Sequence, residues 1–533
     1  MPLMSFFSSW YTVACLAMVP LAILLSDAWK WLRMPPGPTP LPFIGNKFQL
    51  PQHKPWIKFQ EWSHAYGPVF TLWVGRRPTL VISDPVVAVE LMEKRSHKYS
   101  SRPRFVVMGE ILNNMASILV QPYGKEWSLR RKLLHRALTP ASLRSYMARQ
   151  EAEASRLVLQ IMRHPVEWER AFERFTSSVV FSVAYGHRID SLDAAVIQDR
   201  MRFMHYQASL NVPGAYLAES IPILKYLPRF MAPWKRDVED HGKLEVAANM
   251  ALVQDVIRDL DQGREKGIEV AQSLTRTLLE TRAKEGIALS DKDFSFVPAS
   301  LFGAGSDTTA STLCTAVLAL VTNTPILRAA QAELDTAIGT ARTPQFSDEP
   351  QLPYLRALVK EVLRWRPVAV LGGTPHASTE DDVYEGFHIP SGTTILGNSW
   401  AINLNPTYYP SPQTFDPARF LRATDPGVRR DLQGSPHPSK TGHSSFGWGR
   451  RICPGADLAT NALFIALAKL LWSFDILPLP GRVYDTLDYT DGFNIRPKPF
   501  PCQIVLRSET HRLVLEREML AAEHEMAKFP AYN

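Results

Sequence analysis

Apolar residues recur along this chain mainly at helical spacing. Helical patterning runs through Pro85–His97, Gly124–Ala137, Glu151–Ala184, Val297–Val321, Pro353–Arg366 and Ala456–Phe474. Phe70–Val74 and Thr79–Ile82 are short β-like runs around the polar turn Gly75–Arg77 and predict a hairpin. Ser101–Ala116 has little periodicity and predicts a loop bordering a pocket. Val212–Trp234 is apolar and aromatic but broken at Pro213, Pro222, Pro228 and Pro233. Too interrupted to span a bilayer, it predicts an access lid that touches lipid, the ordinary alternative being a buried connection. Ser508 onward predicts an exposed charged helix without chemistry of its own. With no Gly/Ser linker, repeat or low-complexity run, one large, mostly helical body over residues 47–507 is expected, with a tail over 508–533.

The amino terminus has a different pattern. Met4 to Leu25 carries no charge and, as a helix, spans roughly 33 Å, enough for a bilayer core. Pro20 predicts a kink. Trp10, Trp29 and Trp31 suit interfacial anchoring, and Lys30 and Arg33 follow the run. A cleaved leader wants basic residues before its apolar core, and none are present, so residues 1–33 predict an uncleaved signal-anchor with the body in the cytosol. Residues 34–46 carry Pro35, Pro36, Pro38, Pro40 and Pro42, a stiff spacer holding the body at a fixed height.

Composition narrows the class. Of 533 residues 45% are hydrophobic and 21% charged, an ordinary globular balance. The formal charge of +7 comes without a Lys/Arg block or nucleic-acid motif, so nucleic acid is excluded in favour of an acidic protein or membrane surface. Cys15, Cys314, Cys453 and Cys502 are far apart and form no CxxC pair, hence neither a disulfide framework nor a zinc site.

The chemistry concentrates in FGWGRRICPG, Phe446–Gly455. One cysteine, Cys453, stands among three glycines just before an apolar helix. A helix N-terminus and arginines favour a thiolate, the form that ligates a metal. Gly447, Gly449 and Gly455 give a flat cofactor room to lie on backbone, and Arg450 and Arg451 offer cations to its carboxylates. A second interruption is GAGSDTT, Gly303–Thr309, in an apolar helix. Its small residues suggest close approach of something flat. Asp307 beside Thr308 suits a proton relay, with the threonine holding dioxygen or water and the acid supplying protons. Pro298 marks a start or kink of that helix.

Phe446, Gly449, Arg451, Cys453 and Gly455 fit FxxGxRxCxG, and through them the chain resembles the cytochromes P-450, the haem-thiolate monooxygenases. Ala304–Thr309 is similar to that family's oxygen-activation motif. The resemblance implies a mainly α fold with small β-sheets and haem b (iron protoporphyrin IX) between a long central helix and the Cys453 loop. It implies further that Trp127 and Arg131, four apart on one helix face, contact a propionate, and that His376 does likewise. Glu361 and Arg364, joined by Arg419 of FDPARF, are implied as a bracing cluster. Lys125, Arg130, Lys132 and His135 read as a solvated basic face or a docking surface for an electron donor. Val370–Thr374 and the turn at Asp491–Ile495 are candidates for a substrate pocket.

The function implied is insertion of one atom of dioxygen into a hydrophobic small molecule. No flavin- or nicotinamide-binding segment is visible, so electrons come from a separate NADPH–cytochrome P-450 reductase, with cytochrome b5 as an additional donor, at the endoplasmic reticulum membrane. The general style of the chain resembles fungal members that tailor natural products. The alternatives are xenobiotic or fatty-acid hydroxylation, a haem-thiolate isomerase or dehydratase that uses no dioxygen, and a haem-based sensor.

Overall fold

A computed structural model describes residues 2–210 and 215–532, with side chains placed from Met18 onward. The body is mainly helical, with a four-stranded sheet and two two-stranded ribbons.

Its axis is the central helix, Asp291–Thr322, capped by the Ser290 hydroxyl, which accepts from the Asp293 N–H at 3.1 Å. The helix starts before Pro298 and runs through it, so that proline is not the expected start. It ends at Asn323, where the chain turns by 107° into Thr324–Ala337. Its middle packs against Trp168–Tyr185 and against the cysteine helix, Ala456–Ser473, whose apolar faces share one core with it. The pattern from Glu151 to Ala184 divides into two helices, Pro140–Arg163 and Trp168–Tyr185. Pro165 lacks the N–H that would continue the first.

Strand β1 (Val69–Val74) pairs with β2 (Arg77–Ile82) as the expected hairpin, in register from Val69 opposite Ile82 to Val74 opposite Arg77. β3 is His376–Ala377, β4 Asp382–Tyr384, β5 Phe387–Ile389 and β6 Thr394–Gly397. β6 lies between β2, to which it is parallel, and antiparallel β3. β4 pairs with β5, and β7 (Phe474–Leu477) with β8 (Gln503–Leu506).

Several local expectations change. The expected helix Pro85–His97 is not continuous: the wide turn Val89–Lys94 separates the short helical pieces Pro85–Ala88 and Ser96–Tyr99. Ser101–Ala116 is not all loop, because Val106–Ile111 forms a wide helical turn whose first N–H groups donate to the Glu219 carboxylate. The tail helix, Glu509–Ala527, is not simply exposed: Val514, Leu515, Ala522 and Met526 are buried, and the helix lies along Pro140–Arg163.

Pro2–Arg33 is a single helix that includes Pro20. The side chains of the first part of the expected span, Trp10 and Cys15 included, lie outside the described residues, as do Val212 and Pro213 of the expected lid. From Met18 on, Val19, Leu21 and Leu25 are exposed, and the helix is tied to the β1–β2 turn by Asp27 and Arg76 at 2.7 Å. Among the described residues the one helix long and apolar enough to cross a membrane is Ala456–Ser473, which is core. The remainder of the expected lid holds the short turns Leu217–Ser220 and Pro222–Tyr226 and ends in the first residues of the helix Pro233–Lys266, with Leu217, Ile223, Tyr226 and Phe230 exposed.

Candidate active site

The loop before the cysteine helix is closed by the Cys453 N–H donating to the Phe446 carbonyl at 2.8 Å. Gly449 adopts a φ of 56°, and a Cβ there would collide with the Met92 carbonyl. The demand for glycine at this position therefore comes from the neighbouring Val89–Lys94 turn, not from a cofactor lying on it. Gly455 has open space where a Cβ would be. Burial pushes the Cys453 thiol up, outweighing a backbone hydrogen bond at Gly455 and the nearby Arg131 cation. This corrects the expectation that the helix terminus and arginines alone favour a thiolate; a bound metal would favour that form.

Three guanidinium groups and an imidazole gather beside the loop. Arg131 lies close enough to Cys453 to feel its charge, and it donates to the Ile452 carbonyl at 2.5 Å. Arg451 stacks over the Trp127 ring at 4.1 Å and donates to the carbonyls of Ser100 (2.8 Å) and Gln121 (2.7 Å). Arg102, which the sequence reading did not single out, donates to Thr374 and Pro375 carbonyls at 2.6 and 3.0 Å. Its only signal was its place at the edge of an irregular stretch. His376, on β3, is buried and has its Nδ1 2.8 Å from the Tyr99 carbonyl.

These groups have no carboxylate partner among the described residues, and they repel each other. Burial, with Arg102 and Arg131, lowers Arg451 to about 8; burial lowers Arg102 to about 9. Burial, Arg102 and Arg451 together take His376 down to about 3. Since a carbonyl faces Nδ1, that nitrogen carries the proton, so neutral His376 offers only an acceptor at Nε2. It can serve a carboxylate only as imidazolium, which an arriving anion would favour. An uncompensated cationic rim next to a buried thiol fits an iron porphyrin, whose two propionates supply the missing charge. Arg450 is not in this rim: it turns outward onto Tyr123, 5.1 Å from that ring.

The central helix presents Ala304, exposed though midway along an otherwise buried element, and half-buried Thr308 one turn on. The Thr308 hydroxyl donates to the Ala304 carbonyl at 2.9 Å. Gly303 and Gly305 point elsewhere: a Cβ on the first would strike the Arg200 guanidinium, and on the second Val180. Those glycines admit neighbouring side chains, so of the small residues it is Ala304 that borders the open space. Asp307 lies 3.4 Å from the Asn494 amide nitrogen and 3.5 Å from the Ser311 hydroxyl.

Glu361, Arg364 and Arg419 form one buried cluster. Arg364 makes a two-pronged contact with Glu361 at 2.7 Å for each bond, and Arg419 Nε reaches the same carboxylate at 3.1 Å. The remaining guanidinium hydrogens go to backbone carbonyls, including Asn403, Pro412 and Pro410. Of the four basic residues near Trp127, Arg130 is removed from any docking face: it is buried and pairs with Asp293 at 3.1 Å. Lys125, Lys132 and His135 are exposed. A surface cleft of about 510 Å³ beneath the tail helix, lined by Arg156, Arg163, Arg174 and Glu523, shares no residue with this site.

A single thiol beside a cationic rim, at the start of a helix that packs against the helix carrying an acid and an alcohol, is what the class of haem-thiolate proteins requires. A family model described as cytochrome P-450 matches residues 35–504, and the chain belongs to that family. It is 38% identical to cytochrome P-450 monooxygenase 58 of Postia placenta, over 89% of each chain. It is 34% identical to monooxygenase ARMGADRAFT_1018420 of Armillaria gallica over 92% of each, and 31% identical to monooxygenase aneD of Aspergillus aculeatus over 98% of this chain and 97% of the other. The protein is an oxidoreductase of the monooxygenase type, its cofactor is haem b, and it needs dioxygen, a substrate and a redox partner.

Proposed function

We propose that this protein inserts one atom of dioxygen into a hydrophobic small molecule in the making of a fungal natural product, the other atom leaving as water. In this reading the Cys453 thiolate would hold the haem iron, and the haem would supply the activation of dioxygen. Arg451, Trp127, Arg131 and His376 hold its propionates, with Arg102 as a further contact. Phe446, Gly449 and Gly455 shape the loop. Thr308 holds a proton at its hydroxyl, and Asp307 replenishes it. Glu361, Arg364 and Arg419 keep the cysteine side of the core in place.

The observation that carries the reading is the Asp307–Thr308 pair on the same helix as exposed Ala304. The acid beside the threonine suits dioxygen activation and argues against an isomerase or dehydratase that uses no dioxygen. The fungal relatives, all named monooxygenases, support it. Electrons come from NADPH–cytochrome P-450 reductase, with cytochrome b5 as an additional donor, docking near exposed Lys125, Lys132 and Arg450. The helix Pro2–Arg33 anchors the body to the cytosolic side of the endoplasmic reticulum membrane, with residues 34–46 as its spacer.

The test is reconstitution with that reductase. NADPH and dioxygen should be consumed together, and the reduced carbon-monoxide spectrum should show the thiolate red shift, lost in Cys453→Ser. Haem incorporation without dioxygen consumption would instead favour the isomerase class. Metabolite profiling of a strain lacking the gene would then identify the substrate from the precursor that accumulates.

A further inference from the structure

Among the described residues Asp307 has no cation within 4.0 Å. Its two polar neighbours are weak ones: the Ser311 hydroxyl, on its own helix at 3.5 Å, and the Asn494 amide, from a different part of the chain, at 3.4 Å. Both are long for hydrogen bonds, so the carboxylate is free to turn about its χ angles unless something limits it. Ser311 is four residues on and turns with the helix. Asn494 is the partner that belongs to another element.

The loop carrying Asn494 is held on both sides. The Ile495 N–H donates to the Val368 carbonyl at 2.9 Å, and the Ile495 side chain is 1% exposed. The Arg496 N–H donates to the Thr490 hydroxyl at 3.0 Å, and the Thr490 N–H donates to the Arg496 carbonyl at 2.8 Å. The Arg496 guanidinium pairs with Glu173 and, at 3.4 Å, with Glu169, both on the helix that packs behind the central one. Thr176 of that helix donates to the Ser306 carbonyl at 2.6 Å, the residue just before Asp307. The backbone under the acid and the loop beside it are thus tied to the same support. A polar side chain on so fixed a loop, with its amide turned to the unpaired Asp307 carboxylate, is a positioning device.

We propose that Asn494 is a positioning residue for proton delivery: its amide sets the direction of the Asp307 carboxylate, and the Arg496–Glu173–Glu169 cluster fixes the loop that presents it. This rests on the oxygen-insertion reading. Asn494 donates a hydrogen bond and exchanges no proton. When it is absent, the Asp307 carboxylate loses its aim, and protons reach Thr308 too slowly.

The experiment measures hydrogen peroxide released per NADPH oxidised in the reductase-reconstituted holoenzyme, a ratio that needs no identified substrate. Wild type, Asn494→Leu, Asn494→Asp, Asn494→Ser, Asp307→Asn and Thr308→Ala are compared in H₂O and D₂O. The peroxide ratio should rise several-fold in Asn494→Leu, approaching that of Asp307→Asn, with a larger solvent isotope effect and an unchanged carbon-monoxide spectrum. Asn494→Asp, close in size and carrying a like charge, should be at least as impaired, while Asn494→Ser, which keeps a donor, should lie closer to wild type. A crystal structure of Asn494→Leu should show the Asp307 side chain displaced. A wild-type ratio and an unmoved Asp307 in Asn494→Leu and Asn494→Asp, alongside a raised ratio in Asp307→Asn, would overturn this proposal alone. No change in Asp307→Asn and Thr308→Ala, or no dioxygen use by the wild type, would overturn the oxygen-insertion reading with it.

Discussion

Lys469 lies in the cysteine helix, 2% exposed, with its Nζ on the Thr343 hydroxyl. Thr343 in turn donates through its N–H to Glu518 of the tail helix at 3.1 Å. Burial pushes Lys469 down to about 8, only partly offset by Glu518 and Glu151. Its folded pKa therefore lies below its unfolded one of 10.5. Between those values the unfolded chain holds a proton that the folded chain lacks, so this group makes stability rise with pH across that window. Full development amounts to about 3 kcal/mol. Urea unfolding of wild type and Lys469→Met at pH 7.5 and pH 10 should show the wild type gaining relative to the variant at the higher pH. An equal response would mean that the ammonium is solvated. The same competition between burial and neighbours holds Cys453 up and His376 down, and it cannot be read from residue order.

At the scale of elements, the tail helix differs most from expectation. It follows the stretch that matches the family model, which ends at residue 504, yet it buries an apolar face and answers the Lys469–Thr343 pair. Beyond it, Phe529 lies under the Arg149 guanidinium at 3.6 Å. Tyr532 meets Phe181 at 5.1 Å, and Phe181 meets Phe302 of the central helix at 5.0 Å. Burying Val514, Leu515 and Met526 stabilises the fold by about 1.5–3 kcal/mol each. Their sum is comparable to the whole stability of many domains. A chain ending at Ser508 should accordingly give little folded protein, read as soluble holoprotein yield. Tyr532→Ala should fold but lose about 2 kcal/mol in chemical denaturation. A fully stable truncation would show that the tail is an accessory.

For the whole molecule, the exposed apolar residues collect where the amino-terminal helix meets the body. Phe43 and Ile44 lie in the proline spacer and Phe48 just after it, Val74 ends β1, and Leu217, Ile223, Tyr226 and Phe230 lie in the expected lid. Among the contacts that join these parts are Arg76 with Asp27, and Arg77 Nη2 donating to the Glu219 carbonyl at 2.8 Å. An apolar face of this kind beside the proposed anchor suits insertion into a lipid interface. Removal of residues 1–33 should therefore leave partial binding to phospholipid vesicles in flotation. Ile223→Asp with Phe230→Asp should abolish that residual binding. Full release on removal of the helix alone would limit membrane contact to the anchor.

What residue order determined by itself was whatever lies within one element. Cys453 before its helix, Asp307 beside Thr308, and Glu361 three residues from Arg364 are local spacings, and local spacing decides which side chains share a face. Tertiary structure decided which faces meet. It brought Arg419 onto Glu361, Arg102 into the cationic rim, Asn494 onto Asp307 and the tail onto the Pro140–Arg163 helix. It also reassigned Gly303, Gly305 and Gly449 from the cofactor to Arg200, Val180 and Met92. Apolar faces are nearly interchangeable as sequence patterns, so their pairing emerges only when all are buried together. The charge state of a buried thiol, lysine or imidazole follows from that burial.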